Sequence, residues 1–257
     1  MAVATWWAGI PVASALGVSP TIIELQAAPG SSSHGAFAVT NETGAPIVVT
    51  VEIEAMGPSG YAGRDLSKWL AVSPAHLELA PGQSQDVAYT IAVPTGESGE
   101  LAAEVVFVQN VGAGSVQVRF GMAVYMSIKG TERLDLAIEE MALRRSREGL
   151  ASAWLRIANH GNIHCRPEGQ IRVWHADGTL MSEQAMIRGM PVPPGGTSSF
   201  QVEFPSLRID PGTYDLEAEL SCYARAGIPV TLRAKQAATI GVSDEHTDAA
   251  STGPSVR

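Results

Sequence analysis

The chain has 257 residues, of which 45% are hydrophobic and 17% charged, and a formal net charge of −9 at pH 7. This length exceeds the about 100–150 residues of one domain, so we expect two domains, and the apolar fraction excludes a largely disordered chain. Residues 19–131 hold only four Lys and Arg against ten acidic residues, which argues against a nucleic-acid partner because no basic face can neutralise phosphates.

The chain begins with an apolar segment, residues 1–17, that closes on Ala13-Ser14-Ala15. This is the small-x-small pattern of a signal-peptidase site, and the segment is too short to cross a bilayer comfortably. We therefore expect a periplasmic or otherwise exported protein whose mature form begins near Leu16. The alternative is an ordinary apolar first strand.

Residues 18–131 predict a first β-sandwich domain. Short apolar or alternating runs are separated by turn residues such as Pro81-Gly82, a pattern typical of all-β sandwiches. Seven strands are predicted: Val18–Leu25, Ala36–Asn41, Ile47–Ala55, Trp69–Val72 with His76–Leu79, Val87–Val93, Leu101–Gln109 and Val116–Ile128.

Residues 132–242 repeat this spacing and predict a second domain. Its strands are Leu134–Leu143, Ala151–Ala158, Gln170–His175, Thr179–Gln184, Ser198–Phe204, Tyr214–Tyr223 and Val230–Ile240. Leu134–Leu143 also suits a helical face, and we assign it to a strand from its place in the repeated order. Residues 243–257 are polar and small, which predicts a disordered tail. The fold class is therefore all-β, with two tandem immunoglobulin-like sandwiches.

Two features of the second domain predict specific contacts. Tyr214 follows Pro211-Gly212 at the start of the penultimate strand, as in the tyrosine corner of Greek-key sandwiches, although a plain type II turn is the alternative. Cys165 and Cys222 fall at ends of strands that are antiparallel neighbours in such a sheet, and an exported chain with an even cysteine count favours a disulfide. Two buried free thiols are the alternative.

No motif predicts catalysis. His160, His164, Cys165 and His175 offer zinc-ligand residue types, but histidines in such turns are usually exposed turn formers, and their spacing matches no metal signature. Nucleophile, P-loop, dinucleotide and metalloprotease motifs are missing from the sequence. We expect a binding protein that is not an enzyme, with no metal, no cofactor and no small-molecule substrate.

The first domain resembles the amino-terminal domain of the periplasmic pilus-assembly (PapD-like) chaperones. The resemblance covers residues 18–131 and rests on four ordered segments, and the second domain is similar only as another immunoglobulin-like sandwich. The segments are Val18-Ser19-Pro20-Thr21, Ala38-Val39-Thr40-Asn41, Trp69–Pro74 running to Leu79–Gln83, and Val124–Gly130.

This resemblance implies that the last strand of the domain lends apolar side chains to an incomplete subunit while its main chain extends the subunit's sheet. The candidate residues for partner binding are Val116, Val118, Arg119, Phe120 and Met122. The alternative is that the apolar members face their own core, and Arg119 is either a carboxylate ligand or a plain surface residue.

The family also anchors its client's carboxylate with an Arg in the first strand and a Lys in the last strand. Ile22 and Tyr125 occupy the matched positions here, and neither binds a carboxylate by charge. The expected function is a periplasmic chaperone-like protein that assists assembly of a secreted or surface (pilus-like) subunit, with possible envelope association. The alternative is a structural immunoglobulin-like component of an envelope or surface appendage.

Overall fold

A computed structural model of the chain describes residues 16–57, 61–111, 116–186, 189–223 and 229–241. It forms two compact units that divide between Thr131 and Glu132. Each unit is a sandwich of two sheets, and the predicted all-β class with two tandem immunoglobulin-like domains is confirmed. The predicted tail, residues 243–257, and residues 1–15 of the predicted signal-like segment lie outside the described residues.

Sixteen strands account for nearly all of the described regular structure, together with a short 3-10 turn at Ser67–Trp69. The strands of the first unit are β1 (Leu16–Ser19), β2 (Ile22–Ala27), β3 (Ser32–Asn41), β4 (Ile47–Ala55), β5 (Leu70–Ser73), β6 (His76–Leu79), β7 (Ser84–Ala92), β8 (Glu100–Val111) and β9 (Val116–Ile128). Those of the second unit are β10 (Leu136–Arg145), β11 (Leu150–Asn159), β12 (Glu168–His175), β13 (Leu180–Met186), β14 (Thr197–Arg208), β15 (Gly212–Tyr223) and β16 (Pro229–Ile240).

The first unit has nine strands where the sequence predicted seven, because two predicted strands are each divided between the two sheets. The single strand predicted at Val18–Leu25 is wrong: β1 belongs to the sheet β1-β3-β7-β5 and β2 to the sheet β2-β9-β8-β4-β6. Pro20 stands between them and Pro74 stands between β5 and β6. Proline has no N–H to donate to a ladder, so it interrupts pairing where the chain crosses between sheets.

The pairing of β2 with β9 is the one parallel pairing among the described strands. β2 runs beside β9 from the pair Ile22–Ala123 to the pair Ala27–Ile128, whereas β1 pairs antiparallel with β3. The segment that contains β1 and β2 therefore adds one strand to each sheet of the sandwich, β1 to one sheet and β2 to the other.

The core of the first unit consists of side chains from strands in which buried and exposed residues alternate. In β7, Val87, Tyr89 and Ile91 are buried while the residues between them are exposed, as expected of a strand with one solvated face. The wholly buried Phe37 lies at the centre, with its ring 5.6 Å from that of Tyr89 and 5.5 Å from that of Phe107.

The second unit joins the sheets β10-β11-β14 and β13-β12-β15-β16, and each of its seven predicted strands has a counterpart. β10 pairs antiparallel with β11, so the choice of strand over helix for Leu134–Leu143 is confirmed. The tyrosine corner is confirmed as well, because the Tyr214 hydroxyl donates to the carbonyl oxygen of Asp210 at 2.8 Å.

The disulfide predicted between Cys165 and Cys222 is present, with the two Cα atoms 6.0 Å apart. Cys222 lies in β15 on the buried face of Leu220, whereas Cys165 precedes β12 and forms an isolated bridge with Val192. Both cysteines are buried. The bridge therefore ties the segment before β12 to the end of β15.

A buried asparagine closes the same strand in both units. Asn41 ends β3, and its Nδ2 donates to the carbonyl oxygens of Ala45 and Leu79, both at 2.9 Å. Asn159 ends β11, and its Nδ2 donates to the carbonyl oxygens of Ile163 at 2.8 Å and Val192 at 3.1 Å. The two units therefore share this buried asparagine at a strand end as well as their strand topology.

A candidate partner-binding edge

Half of β9 is an unpaired sheet edge. β8 pairs with β9 from Val116 to Ser127 on one side, whereas β2 covers only Ala123–Ile128 on the other. Within the described residues, no strand pairs with the second side of Val116–Met122, which we call the open edge. Its cause is the crossing at Pro20, since β1 leaves the sheet of β9 where it would otherwise cover these residues.

The main-chain groups of the open edge point outwards at alternate residues. The N–H of Ala123 donates to the Thr21 carbonyl oxygen at 3.3 Å, on the β2 side of β9. Because successive residues of a strand direct their main-chain groups to opposite sides, the N–H and C=O groups of Gln117, Arg119 and Gly121 face the same side. These groups are available to another strand.

The inward-facing row of the open edge becomes steadily more exposed towards its tip. Met122 is buried at 6% exposure, Phe120 and Val118 are half-buried, and Val116 is 57% exposed. Met122 belongs to the core cluster of the first unit and Phe120 packs against it. The apolar row thus runs from the unit's own core into solvent.

Arg119 lies on the opposite face and is held by two carboxylates of β4. Its Nη2 atom is 3.0 Å from Glu52 Oε2 and also contacts Glu54 Oε1. The guanidinium reaches these partners across β8, where Val108 is the residue opposite Arg119. Its charge is therefore shared with carboxylates of the same sheet, while its main chain faces the open side.

Glu104 is a residue of this site that the sequence did not single out. It lies on β8, and a Cβ atom built on Gly121 would stand 3.4 Å from Glu104 Oε2, so the carboxylate leans over the glycine of the open edge. The described residues provide Glu104 with no hydrogen bond or ion pair. Only the strand register, which places Glu104 beside Ala123 and Val106 beside Gly121, reveals this proximity.

The positions matched to the family's carboxylate anchor hold uncharged side chains in different environments. Ile22 is 45% exposed at the start of β2. Tyr125 is buried at 6%, and its ring centroid lies 5.9 Å from that of Tyr61. The Tyr61 hydroxyl donates to the buried carboxylate of Glu100 at 2.8 Å. Neither matched position supplies a cation.

The residue types considered for zinc do not converge. Cys165 is in the disulfide, and the His175 ring packs edge-on against Tyr214 at 6.1 Å. Among residues 16–57, 61–111, 116–186, 189–223 and 229–241, no group of three or more His, Cys, Asp or Glu side chains is placed to hold a metal ion. The same residues include no helix with the length and apolar character of a membrane span.

Comparison with known proteins gives structural neighbours only. No family model matches the sequence, and no curated protein matches it. The solved structures similar to this chain include the YadV chaperone, at 10% identity and a TM-score of 0.49, covering 86% of this chain and 99% of that chain. Others are the CupB2 chaperone of Pseudomonas aeruginosa (13%, TM-score 0.41, covering 84% and 98%) and the E. coli chaperone DraB (12%, TM-score 0.42, covering 86% and 98%).

These structures are PapD-like pilus chaperones. They belong to the family that the motifs of the first domain resemble. At such identities, similarity to PapD-like structures describes the arrangement of strands and leaves the function of this chain to its own residues.

Proposed function

We propose that this chain is an exported, chaperone-like protein that binds a secreted or surface subunit by pairing one strand of the subunit with the open edge of β9. The observation that carries the proposal is the unpaired main chain of Val116–Met122 next to an apolar row that runs into solvent. The proposal includes no chemical step.

Main-chain pairing would supply affinity at this edge. An added strand gains hydrogen bonds to Gln117, Arg119 and Gly121 without displacing any pair of the existing ladder, because β8 occupies only the other side of β9. A long unprotected edge is a liability in a protein that does not use it. This edge has no inward-facing charge and no proline between Val116 and Met122.

The inward-facing side chains would supply selectivity. Val116 and Val118 extend the apolar surface beyond the core that buries Met122, so a partner with an incomplete core would bury them. The row offers every second residue to the partner, which is the spacing that a sheet requires.

The edges of the second unit differ in composition. β13 and β14 are each one edge strand of its two sheets, the other edges being β16 and β10. The inward-facing positions of β13 include Ser182 and Gln184, and β14 contains Pro205, so one edge carries polar side chains on its inner face and the other lacks an N–H. These are features of edges that avoid strand addition, so β13 and β14 are less suited to strand addition than the open edge of β9.

Site-specific photocrosslinking in the native host tests the proposal. The photoreactive residue p-benzoylphenylalanine replaces Val116 in the full chain, and in a control it replaces Val48, a 43% exposed valine of β4 in the same sheet. We expect the position 116 protein to form an adduct with an exported protein, identified by mass spectrometry with the crosslink mapped to one segment, and the position 48 protein not to form it.

A second substitution tests strand pairing itself. Gln117→Pro removes an N–H of the open side and should abolish the adduct in protein that melts near the wild-type temperature. An adduct that forms equally at positions 48 and 116, or that survives Gln117→Pro, contradicts the proposal.

A further inference from the structure

The outer face beside the open edge carries more negative than positive charge. Glu54 and Glu104 are directly opposite each other on β4 and β8, and like charges in that position destabilise a sheet. Arg119 engages Glu52 and Glu54. Glu104 is left without a cation among the described residues, at the strand next to the open edge.

We propose that the partner strand bound at the open edge carries a Lys or Arg opposite Gly121, and that Glu104 binds this cation. The inference rests on the proposed function and names the chemistry of its partner. The partner segment then has a cationic residue on its outer face between two apolar residues, which lie beside Phe120 and Met122 on the inner face.

The geometry at Gly121 permits this contact. The Glu104 carboxylate lies beside the space above Gly121, with Oε2 3.4 Å from the position of a Cβ atom built on this glycine. Residues directly opposite on paired strands have Cβ atoms about 4.5–5.5 Å apart. A Lys or Arg opposite Gly121 therefore faces the Glu104 carboxylate directly. The glycine leaves the path open, whereas a long side chain at position 121 would stand between the carboxylate and the partner strand.

The same sheet already contains a cation that reaches across a strand. Arg119 extends from β9 over β8 to the carboxylates of β4. A cation on the partner strand that extends over β9 to β8 would make the same kind of contact across one strand, shifted by one strand towards the open edge. It would compensate the one carboxylate of Glu52, Glu54 and Glu104 that Arg119 does not bind.

Synthetic peptides test the inference with the full chain. The probes are end-blocked nine-residue peptides with Thr at odd and Val at even positions, labelled through a neutral spacer, and the central residue is Lys, Thr or Glu. Fluorescence anisotropy measures their binding to the wild-type protein, to Glu104→Gln and to Glu78→Gln, a control at an exposed acid of β6 in the same sheet.

We expect the Lys peptide to bind about two- to fivefold more tightly than the Thr peptide, and the Glu peptide more weakly, as exposed ion pairs allow. The preference should disappear in Glu104→Gln, remain in Glu78→Gln, and shrink as salt is raised. Equal binding of the Lys and Thr peptides, or a preference that survives in Glu104→Gln, overturns the inference while leaving the proposed function intact.

Two other outcomes test whether a strand of a separate partner binds the open edge at all. If no peptide binds, or if Val116→Asp leaves the binding of every peptide unchanged, the proposed function fails and the inference fails with it. A second copy of the chain, paired antiparallel about Phe120, would also bring an arginine opposite Gly121. A dimer in sedimentation equilibrium that Glu104→Gln dissociates would overturn the inference of a separate partner.

Discussion

At the scale of single residues, the polar atoms of Asn41 and Asn159 are completely buried and satisfied. In Asn41, Nδ2 donates to two carbonyls while Oδ1 accepts from the main-chain N–H of Thr43 at 2.9 Å and from its hydroxyl at 2.7 Å. In Asn159, Oδ1 accepts the N–H of Gly161 at 2.8 Å. Both side chains replace main-chain partners that a strand loses where it ends.

We expect Asn41→Ala to lower the free energy of unfolding of the first unit by about 2–4 kcal/mol, because two carbonyls and one N–H in a buried site lose their partner. Chemical denaturation measures the change. Asn110→Ala, at an exposed asparagine of β8, is the matched control and should change stability by less than about 0.5 kcal/mol. Similar effects of the two substitutions would contradict the structural role of Asn41.

Glu219 gives the second unit a dependence on acid pH. Hydrogen bonds from Arg233 and Arg172 lower the pKa of Glu219 below its usual value of 4.5. A carboxyl whose pKa is lower in the folded than in the unfolded state stabilises the fold above the unfolded pKa, and this contribution is lost as pH falls through the folded pKa. The unit should therefore lose stability as pH drops below about 4.5.

Thermal melts of the wild type and of Glu219→Gln across this pH range measure the effect. The difference between the two proteins should be largest near neutral pH and small in acid, because protonated Glu219 resembles the amide. Glu203→Gln, which alters an exposed acid on β14, is the comparison. A difference that stays constant with pH would rule out the ionic contribution of Glu219.

At the scale of strands, the direction of each N–H in β9 determines which prolines the fold tolerates. Gln117→Pro removes an N–H that faces the open side, whereas Val118→Pro removes one that pairs with β8. We expect the first to cost less than about 1 kcal/mol of stability and the second about 2–4 kcal/mol. Urea denaturation of both variants tests the orientation of the strand, and equal losses would show that the open side is assigned wrongly.

Alternation in the sequence was sufficient to locate the strands and insufficient to assign them to sheets. The pattern around Val18–Leu25 looks continuous because β1 and β2 both place apolar residues inwards, in opposite sheets of one sandwich. Apolar residues that alternate along a strand show which face of the strand is buried. They do not show which neighbouring strand supplies its hydrogen bonds. The open edge depends on this assignment of strands to sheets. The sequence therefore suggested Val116–Met122 as candidates but did not show that one side of their main chain is unpaired.

Contacts across strands were equally invisible in the sequence. The ion pairs of Arg119 with Glu52 and Glu54 and the proximity of Glu104 to Gly121 depend on register between segments that are far apart in the chain. The Cys165–Cys222 pair and the Tyr214 corner were predictable, because a repeated strand order and a turn motif limit their position. Local or topological patterns can be inferred from sequence, and diagonal side-chain contacts cannot.

At the scale of the whole molecule, each unit has its own core and only the second has a disulfide among the described residues. We expect reduction of Cys165–Cys222 to destabilise the second unit by about 2–4 kcal/mol and to leave the first unchanged. Calorimetry with and without dithiothreitol measures this difference. The cysteine-free double variant Cys165→Ala/Cys222→Ala should not respond to the reductant, and a shift of both units would contradict the assignment.

Export remains a prediction that a direct measurement resolves. We expect amino-terminal sequencing of protein from the native host to give a mature chain that begins near Leu16, after the small-residue pattern Ala13-Ser14-Ala15. Ala13→Asp and Ala15→Asp should block cleavage, since the signal peptidase requires small residues at these positions. Recovery of protein that retains Met1 from the cytoplasm would remove the argument for an exported partner.

The parallel pairing of β2 with β9 sets the order in which the first unit is completed. β2 lies near the start of the chain and its partner near the end of the unit, so every intervening strand must be present before the two pair. Closing so long a loop is entropically expensive and slow compared with forming neighbouring hairpins. We therefore expect β8 and β9 to pair as a hairpin first during synthesis, which leaves the side of β9 that β2 later covers bare along its whole length. The open edge of the finished protein is the part of that early surface that the chain never closes.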